Sequence, residues 1–201
     1  KNSIEISEII KSTKGKKRFS DIVERCSKQS GMKICGRAYP VKGPSGCNLW
    51  LHRAIAEADP GDVLVADIGD DKEFGYWGDI MGTGSMAKGI AGLVIDGCVR
   101  DQLELEEMGF PVFSAGLCIR GTEKKFEDHG SLGEAITIGD ITINQGDLVL
   151  GDNDGIVVIP EKQVSDSIAK SIQREDKEEA TKKRLRAGET TMKIYNWPNH
   201  K

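Results

Sequence analysis

The possible folds of this chain are limited mainly by an alternation of short apolar runs with helix-like stretches in the middle of the sequence. Residues 63–66, 92–95 and 111–113 are apolar runs typical of buried strands, and residues 79–88 and 101–108 have a helical pattern. Strands that alternate with helices in this way are typical of β-α-β units. The sequence therefore predicts an α/β architecture for this part of the chain.

The pattern changes after residue 130, where short apolar runs follow one another without helices between them. The runs cover residues 135–138, 141–143, 148–150 and 156–159, and turns that contain Gly, Asp or Asn separate them. Such spacing is typical of an antiparallel meander or of a segment of a β-barrel. The predicted fold class is therefore mixed α and β rather than a purely doubly wound sheet.

Three regions are expected along the chain. Residues 1–30 are predicted to be an N-terminal helical segment, residues 31–160 the α/β core, and residues 161–201 a C-terminal helix with a tail. The helical part of the last region is polar, and its apolar positions are sparse. It is either a solvated surface helix or an arm that packs on a neighbouring subunit, and the sequence leaves both open.

Charge and cysteine content argue against several classes of protein. The chain has 28 Lys and Arg against 32 Asp and Glu, a net charge of −4, which argues against a dedicated nucleic-acid binder. It has no apolar run of about 18 residues that would span a membrane, and residues 1–17 lack the apolar core of a secretion signal. The five cysteines include no C-x-x-C pair, which favours a reduced, cytoplasmic protein and disfavours a zinc site.

Arg100 and Asp101 follow the strand predicted at residues 92–95. Ligands of α/β proteins bind at such strand ends, and the planar guanidinium of an arginine suits a carboxylate. Asp101 is suited to hold a divalent cation, but it also precedes a predicted helix and is suited to cap it. Taken alone, the pair favours a helix cap and a surface ion pair.

Asp79 stands where another predicted helix begins, so it too is suited to be an N-cap. The start of a helix also offers unpaired backbone N–H groups and the positive end of a dipole, and both suit a bound carboxylate. Twenty residues separate Asp79 from Arg100, enough for one helix and one strand. That crossover returns the second strand end to the edge where the first loop lies, so a helix start, an arginine and a carboxylate can converge.

A competing motif covers residues 82–87, which match the G-x-G-x-x-A pattern of dinucleotide-binding proteins. That fingerprint requires a strand directly before its first glycine, and the preceding residues have the composition of a loop running into a helix. We therefore expect Gly82, Gly84 and Ala87 to allow close packing of a helix on a sheet.

Three further candidates have simple structural explanations. Residues 152–155 are expected to form a tight turn rather than a calcium site, because the rest of an EF-hand loop is missing. His52 is expected to be an ordinary surface or core histidine. Cys47 and Cys98 have no evident base beside them, which disfavours a cysteine nucleophile.

Several segments together resemble the RraA-like family. They are residues 44–49, 60–65, 78–81, 92–101 and 109–113, together with the later stretch at residues 146–155. The resemblance runs from about residue 31 to about residue 190 and includes an aspartate, twenty residues, and then Arg-Asp. The family contains class II 4-hydroxy-4-methyl-2-oxoglutarate and 4-carboxy-4-hydroxy-2-oxoadipate aldolases, and also regulators of ribonuclease E.

The resemblance implies roles for specific residues. The counterpart of Arg100 binds the pyruvate moiety, and the backbone N–H groups at Ile80 and Met81, beside Gly78, hold its carboxylate. The counterpart of Asp79 orders a catalytic water. Asp101 corresponds to the ligand of Mg²⁺ or Mn²⁺, which the family binds mostly through water molecules.

The resemblance also implies the fold and the assembly. The family fold is an α/β/β sandwich with barrel-like sheets and a C-terminal helix, and it assembles as homotrimers or homohexamers with the site near a subunit interface. An acidic residue of the neighbour's C-terminal helix completes that site. The candidates here are four acids of the predicted C-terminal helix: Glu175, Asp176, Glu178 and Glu179.

The expected function is that of a metal-dependent carbon–carbon lyase. Such an enzyme would cleave 4-hydroxy-2-oxo acids to pyruvate and a second oxo acid, and would also decarboxylate oxaloacetate. The alternative is a non-catalytic regulator that binds ribonuclease E or a helicase. A methyltransferase is the least favoured function, because its nucleotide-binding signature, residues 82–87, lacks the strand that should come directly before it.

Overall fold

The computed structural model describes residues 32–127, 129–152 and 155–198. The N-terminal helical segment predicted at residues 1–30 lies outside the described residues, as do Asn153 and Asp154 of the predicted tight turn. Within the described ranges no helix is both long and apolar enough to cross a membrane.

The first half of the described chain forms four parallel strands connected by helices. Strands β1, β2, β3 and β4 lie side by side in the sheet order β4-β3-β2-β1, and all three pairings are parallel. Each connection passes through one helix, as parallel neighbours require. The elements are, in chain order, β1 (Ile34–Lys42), α1 (Leu49–Glu57), β2 (Asp62–Asp67), α2 (Asp79–Lys88), β3 (Gly92–Val99), α3 (Gln102–Met108) and β4 (Val112–Leu117).

The second half adds short antiparallel strands, as the sequence predicts. The strand β8 pairs with β1 on the side away from β2, and β9 pairs with β8, so that one mixed sheet results. The strands β6 and β7 form a separate hairpin. The elements are β5 (Ser131–Leu132), β6 (Ile136–Ile138), β7 (Ile141–Ile143), β8 (Leu148–Asp152), β9 (Gly155–Ile159), α4 (Val164–Arg186) and α5 (Thr191–Ile194).

The central strands are buried on both faces, which explains their continuous apolar sequence. Leu64 and Ala66 of β2 face a cluster that includes side chains of all three crossover helices, such as Leu51 and Leu105. Val63 and Val65 alternate with them and face the opposite cluster, to which the hairpin contributes its buried side chains: Ile136 and Ile143. The layers are therefore helices, mixed sheet and hairpin, and the predicted α/β class is confirmed.

The expected packing role of the small residues in α2 is only partly right. A side chain at Gly82 would lie 2.8 Å from Leu105 and 2.9 Å from Met108, so this glycine lets α2 approach helix α3 rather than the sheet. Gly84 and Ala87 are exposed, and the nearest atom to a side chain at Gly84 lies 4.0 Å away. The reason is the orientation of α2, which turns only one side toward its neighbours.

Gly36 of β1 tests how closely the central strands pack. A Cβ atom at this position would collide with the carbonyl oxygen of Gly61 and lie 2.8 Å from Val63. We expect Gly36→Ala to lower the free energy of unfolding by about 1–3 kcal/mol, because the strand would have to shift. The matched control is Gly121→Ala, where no atom lies within 4 Å. Equal urea midpoints for the two variants would contradict this packing.

Candidate active site

The loop between β2 and α2 runs along the end of β3 and takes the place of a neighbouring strand there. Pairing of β3 with β2 ends at Ile95, and the register of β3 with β4 shifts between Ile95 and Cys98. Beyond that shift the Cys98 amide donates to Lys72 at 3.0 Å, and the Cys98 carbonyl accepts from Tyr76 at 3.0 Å. The loop is therefore held in a fixed register against the last residues of the strand.

This register brings Arg100 and Asp101 to the start of α2. The Arg100 amide donates to the Trp77 carbonyl at 2.8 Å, and its Nη1 donates to the Gly75 carbonyl at 2.8 Å. Asp101 Oδ2 accepts from the Asp79 amide at 3.2 Å and lies 3.4 Å from Arg100 Nε. Asp79, Arg100 and Asp101 therefore converge as the sequence predicts.

Gly78 lies in the centre of this arrangement and leaves no room for a larger residue. A Cβ atom there would collide with Asp101 Oδ2 and lie 3.1 Å from Arg100 Nε. Trp77, directly before it, is fully buried and stacks on Phe110 with ring centroids 6.0 Å apart. The backbone at the start of α2 is thus anchored by a buried aromatic ring and packed directly against the Asp101 and Arg100 side chains.

Asp101 stands at the N-cap position of α3, but its side chain does not cap that helix. It makes no capping hydrogen bond and instead contacts Asp79 and Arg100. Its backbone has φ 59° and ψ 42°, a left-handed conformation that is unfavourable for a residue with a side chain. The expectation that the Asp101 side chain caps α3 is therefore wrong, because its carboxylate turns toward the start of α2.

The expected cap role of Asp79 is also wrong, since Gly78 holds the N-cap position and Asp79 is the first helical residue. Asp79 Oδ1 accepts from the Ile80 amide at 2.7 Å, and this contact orients the carboxylate at the helix entrance. Ile80 is 76% exposed, whereas the side chain of Met81 is buried. First-turn amides have no main-chain acceptor within their own helix, and two of them here donate to the Asp101 and Asp79 carboxylates, so this end of α2 suits an anion.

Two cations, Lys124 and Arg100, act on a histidine near the site. The loop after β4 returns to the start of α1, where the Glu123 amide donates to Gly46 at 2.8 Å. It places Lys124 where its charge, together with that of Arg100, acts on His52 of α1. Burial is the largest cause of a lowered pKa of His52, and the two cations lower it further. The imidazole is therefore neutral near pH 7, and an anionic ligand fits this environment.

The fit of a divalent cation rests on Asp101. Across residues 32–127, 129–152 and 155–198, no group of three His, Cys, Asp or Glu side chains forms a metal site. Mg²⁺ does not require one, because it usually binds one or two carboxylates and keeps several water molecules. The Asp101 side chain is 28% exposed, and its contacts with Asp79 and Arg100 involve only Oδ2. The carboxylate therefore suits a largely hydrated Mg²⁺ or Mn²⁺.

Other candidates from the sequence do not join the site. Burial is the main cause of a raised pKa of the Cys98 thiol, which disfavours a nucleophilic thiolate. The residues of the G-x-G-x-x-A match lie inside α2 and not after a strand, which excludes the dinucleotide geometry. The four acids of α4 were expected to complete the site of a neighbouring subunit, not that of their own chain, and this stays a prediction; they are Glu175, Asp176, Glu178 and Glu179.

Two side chains that build the site, Tyr76 and Lys72, were not predicted from the sequence. Tyr76 is fully buried, and its hydroxyl accepts from the Gly46 amide at 2.8 Å and donates to the Asp71 carbonyl at 2.5 Å. Lys72 donates to both oxygens of Asp96 at 2.7 and 2.8 Å. These contacts fix the loop above the strand end. In the sequence, the one signal for Tyr76 was the presence of an aromatic residue in a Gly-rich, acidic loop.

The backbone strain at Asp101 is testable. Asp101→Ala and Asp101→Gly both remove the carboxylate, but only alanine keeps a Cβ atom in the left-handed conformation. We expect Asp101→Gly to be more stable than Asp101→Ala by about 1 kcal/mol in urea unfolding. Greater stability of the alanine variant would contradict the conformation of this residue.

The lowered pKa of His52 predicts a pH dependence of stability. Since burial, Lys124 and Arg100 hold this pKa below its usual 6.5, the unfolded chain binds the proton more tightly than the folded chain. The contribution of His52 to stability is present above about pH 6.5 and is lost as the pH falls through the folded pKa. The free energy of unfolding should therefore fall more steeply below about pH 6.5 in the wild type than in His52→Gln, because the carboxylates are common to both. Parallel urea-unfolding curves would contradict this assignment.

Comparison with known proteins places this geometry in a family. The family model described as "RraA-like: Aldolase/RraA" matches residues 3–158, which extends further toward the N-terminus than the motifs that carry the resemblance. A protein of Halalkalibacterium halodurans named "Putative 4-hydroxy-4-methyl-2-oxoglutarate aldolase" is 32% identical over 163 residues, which are 81% of this chain and 77% of that protein.

Solved structures agree with this comparison. One is Streptomyces coelicolor RraAS2, which is described as an unusual member of the RNase ES inhibitor RraA protein family. It is 28% identical, with a TM-score of 0.67 over 77% of this chain and 79% of that one. The RNA-processing inhibitor RraA from Thermus thermophilis, at 21% identity, has a TM-score of 0.60 over 73% of this chain and 94% of that one, and shares the fold. This chain therefore belongs to the RraA-like family.

Proposed function

We propose that this protein is a divalent-metal-dependent aldolase that cleaves 4-hydroxy-2-oxo acids, such as 4-hydroxy-4-methyl-2-oxoglutarate, to pyruvate and a second oxo acid. The observation that carries the proposal is the convergence of Arg100, Asp101 and the start of α2 around Gly78. Membership of the RraA-like family and the aldolase name of the Halalkalibacterium relative support the same class of reaction.

Substrate binding in this proposal uses the start of α2 and the guanidinium of Arg100. The carboxylate of the 2-oxo acid accepts hydrogen bonds from the Met81 amide and from the Ile80 amide. The Ile80 amide donates to Asp79 Oδ1 in the structure and changes partner when the substrate binds. Arg100 is held by its Nη1 contact with Gly75 and its Nε contact with Asp101. These two contacts fix the orientation of the guanidinium, so that Nη2 donates to the oxo group of the substrate, where negative charge develops.

The reaction breaks the bond between C3 and C4 of the substrate. The proton of the C4 hydroxyl passes to a water molecule that Asp79 orients, C4 becomes the carbonyl of the released oxo acid, and the bonding electrons form the enolate of pyruvate. Protonation of C3 then yields pyruvate. Arg100 stabilises the enolate oxygen, so its charge acts mainly in the transition state and not in the bound substrate.

The proposed metal dependence rests on Asp101. This carboxylate would hold a largely hydrated Mg²⁺ or Mn²⁺. When bound, the cation supplies Lewis-acid stabilisation of the negative charge that develops on the substrate. Release of C4 of oxaloacetate as CO₂ leaves the same pyruvate enolate, so the same residues support oxaloacetate decarboxylation.

We propose in addition that the protein functions as a homotrimer or homohexamer. Apolar side chains are exposed around the site and toward the edge strand β4, notably Ile80 at 76%, Leu103 at 70% and Ile119 at 88%. A groove of about 770 Å³ lies between α3 and β4 and has apolar walls that include Phe110 and Leu117. Exposed apolar surface of this kind favours burial against another copy of the chain.

The second candidate function is regulation of a ribonuclease or helicase by direct binding. The two solved relatives are described as an RNA-processing inhibitor and as a member of a ribonuclease-inhibitor family, and these descriptions favour it. The net charge of −4 is compatible with a basic partner. This function requires no turnover of an oxo acid, and activity therefore separates the two candidates.

Arg100 gives the direct test of the proposed activity. We expect pyruvate release from 4-hydroxy-4-methyl-2-oxoglutarate and from oxaloacetate with Mg²⁺, abolished by EDTA and reduced at least about 100-fold in kcat/KM by Arg100→Ala. The matched control is Arg37→Ala, since Arg37 pairs with Asp62 at the opposite end of the sheet, 3.0 Å apart. A coupled assay with lactate dehydrogenase measures the product.

Full activity of Arg100→Ala would contradict the site. Lack of turnover on both substrates, combined with stoichiometric inhibition of a ribonuclease, would favour the regulator instead.

A further inference from the structure

Asn48 stands at the N-cap position of α1, but its side chain does not cap this helix. Its Nδ2 instead donates to the Tyr76 carbonyl at 2.9 Å and lies 3.5 Å from Met81 Sδ. The side chain is buried, with 1% of the residue exposed. The side-chain amide of Asn48 therefore contacts one residue before Gly78 and one residue after it, at the start of α2.

The direction of this amide is fixed by its partner. A carbonyl oxygen only accepts, so the atom of Asn48 that faces Tyr76 must be the NH₂ group. Asn48 Oδ1 is then buried, and it has no hydrogen-bond partner within the described part of the chain. A buried acceptor without a partner is costly, so this amide is a poor choice for stability alone.

The Tyr76 carbonyl lies two residues before Gly78, the N-cap of α2, so its position affects where the helix begins. The Tyr76 hydroxyl is tied to Gly46 and Asp71, whereas its main chain continues through Trp77 to Gly78. The first hydrogen bond of α2 runs from the Gly82 amide to the Gly78 carbonyl at 3.0 Å. A side chain that holds residue 76 by its backbone therefore also sets the direction of the first-turn amides.

We propose that Asn48 is a positioning residue for the carboxylate-binding amides of α2 and acts through the Tyr76 carbonyl and Met81. The role of those amides rests on the proposed function; the coupling of Asn48 to the helix start does not. Asn48 touches neither substrate nor metal in this arrangement. Asn48→Asp replaces the donor by a second oxygen that repels the Tyr76 carbonyl, and Asn48→Ala removes the contact.

The first readout is independent of activity. We expect the Gly82 amide to exchange with solvent deuterium about tenfold faster in Asn48→Asp and in Asn48→Ala than in the wild type, because the first turn of α2 loses its anchor. The Ile90 amide, which donates to Ser85 at 2.9 Å just beyond the other end of α2, is the internal reference and should not change. The matched control variant is Ser85→Ala, which also removes a buried polar group without a partner in the described residues. If Asn48→Asp fails to fold, Asn48→Ala carries the test.

The second readout is the division between KM and kcat, taken well below the melting temperature of each variant. The amides bind the carboxylate equally in the ground state and the transition state, so we expect KM to rise about tenfold and kcat to change little. Unchanged Gly82 exchange, acceleration that includes Ile90, or a loss confined to kcat would each overturn the proposal. If the wild type turns over no oxo acid, the proposed function fails, and the Gly82 and Ile90 exchange rates alone decide the role of Asn48.

Discussion

The register of the loop before α2 against the end of β3 is the constraint on which the site depends. Backbone hydrogen bonds from Cys98 and Arg100 to this loop determine which residues of α2 meet Asp101. These contacts belong to main-chain groups, which must be paired when buried. A shift of one residue would turn Arg100 and Asp101 away from Gly78. The site is thus a consequence of the sheet edge and not of side-chain attraction alone.

The residues that form the site do so at a cost in local stability. Asp101 adopts a left-handed backbone, and its ion pair with Arg100 is about one-third exposed, so that pair adds little stability. Asn48 Oδ1 and Trp77 Nε1 are buried beside the same loop without partners in the described residues. Strained or unpaired groups concentrate at functional sites because the surrounding structure holds them in place. Here the buried strands and the stacked Trp77 and Phe110 rings supply that support.

The sequence was sufficient for the parts of the fold that follow from local pattern. Strands β2, β3 and β4, the helix at residues 79–88 and the antiparallel strands after residue 130 were predicted, because apolar periodicity and turn residues mark them directly. Strand β1 was not predicted. The convergence of Asp79 with Arg100 followed from the length of one helix and one strand. The layering of the hairpin on the sheet was implied only by the family resemblance, since β6 and β7 touch residues far away in the sequence.

Contacts that depend on side-chain direction could not be predicted from residue type. Asp79 and Asp101 were both considered as helix caps, but Gly78 takes the N-cap position of α2, and the Asp101 side chain makes no capping hydrogen bond. Asn48 holds the N-cap position of α1, and its side chain makes no capping hydrogen bond either. Local preference favours the cap, but the tertiary contacts to Tyr76 and to the start of α2 prevail. The packing of Gly82 against α3 instead of the sheet has the same origin, because the rotation of α2 is set by its neighbours.

Exchange of the methyl protons of pyruvate in deuterated water tests most directly whether this protein stabilises the pyruvate enolate, because it requires no second oxo acid. We expect the wild-type protein with Mg²⁺ to exchange these protons, as followed by the decay of the methyl signal in proton NMR. EDTA or Arg100→Ala should reduce the rate to that of the solution without protein. If the wild-type protein binds pyruvate in the presence of Mg²⁺ but exchanges no protons, it does not stabilise the enolate and the proposed chemistry is contradicted.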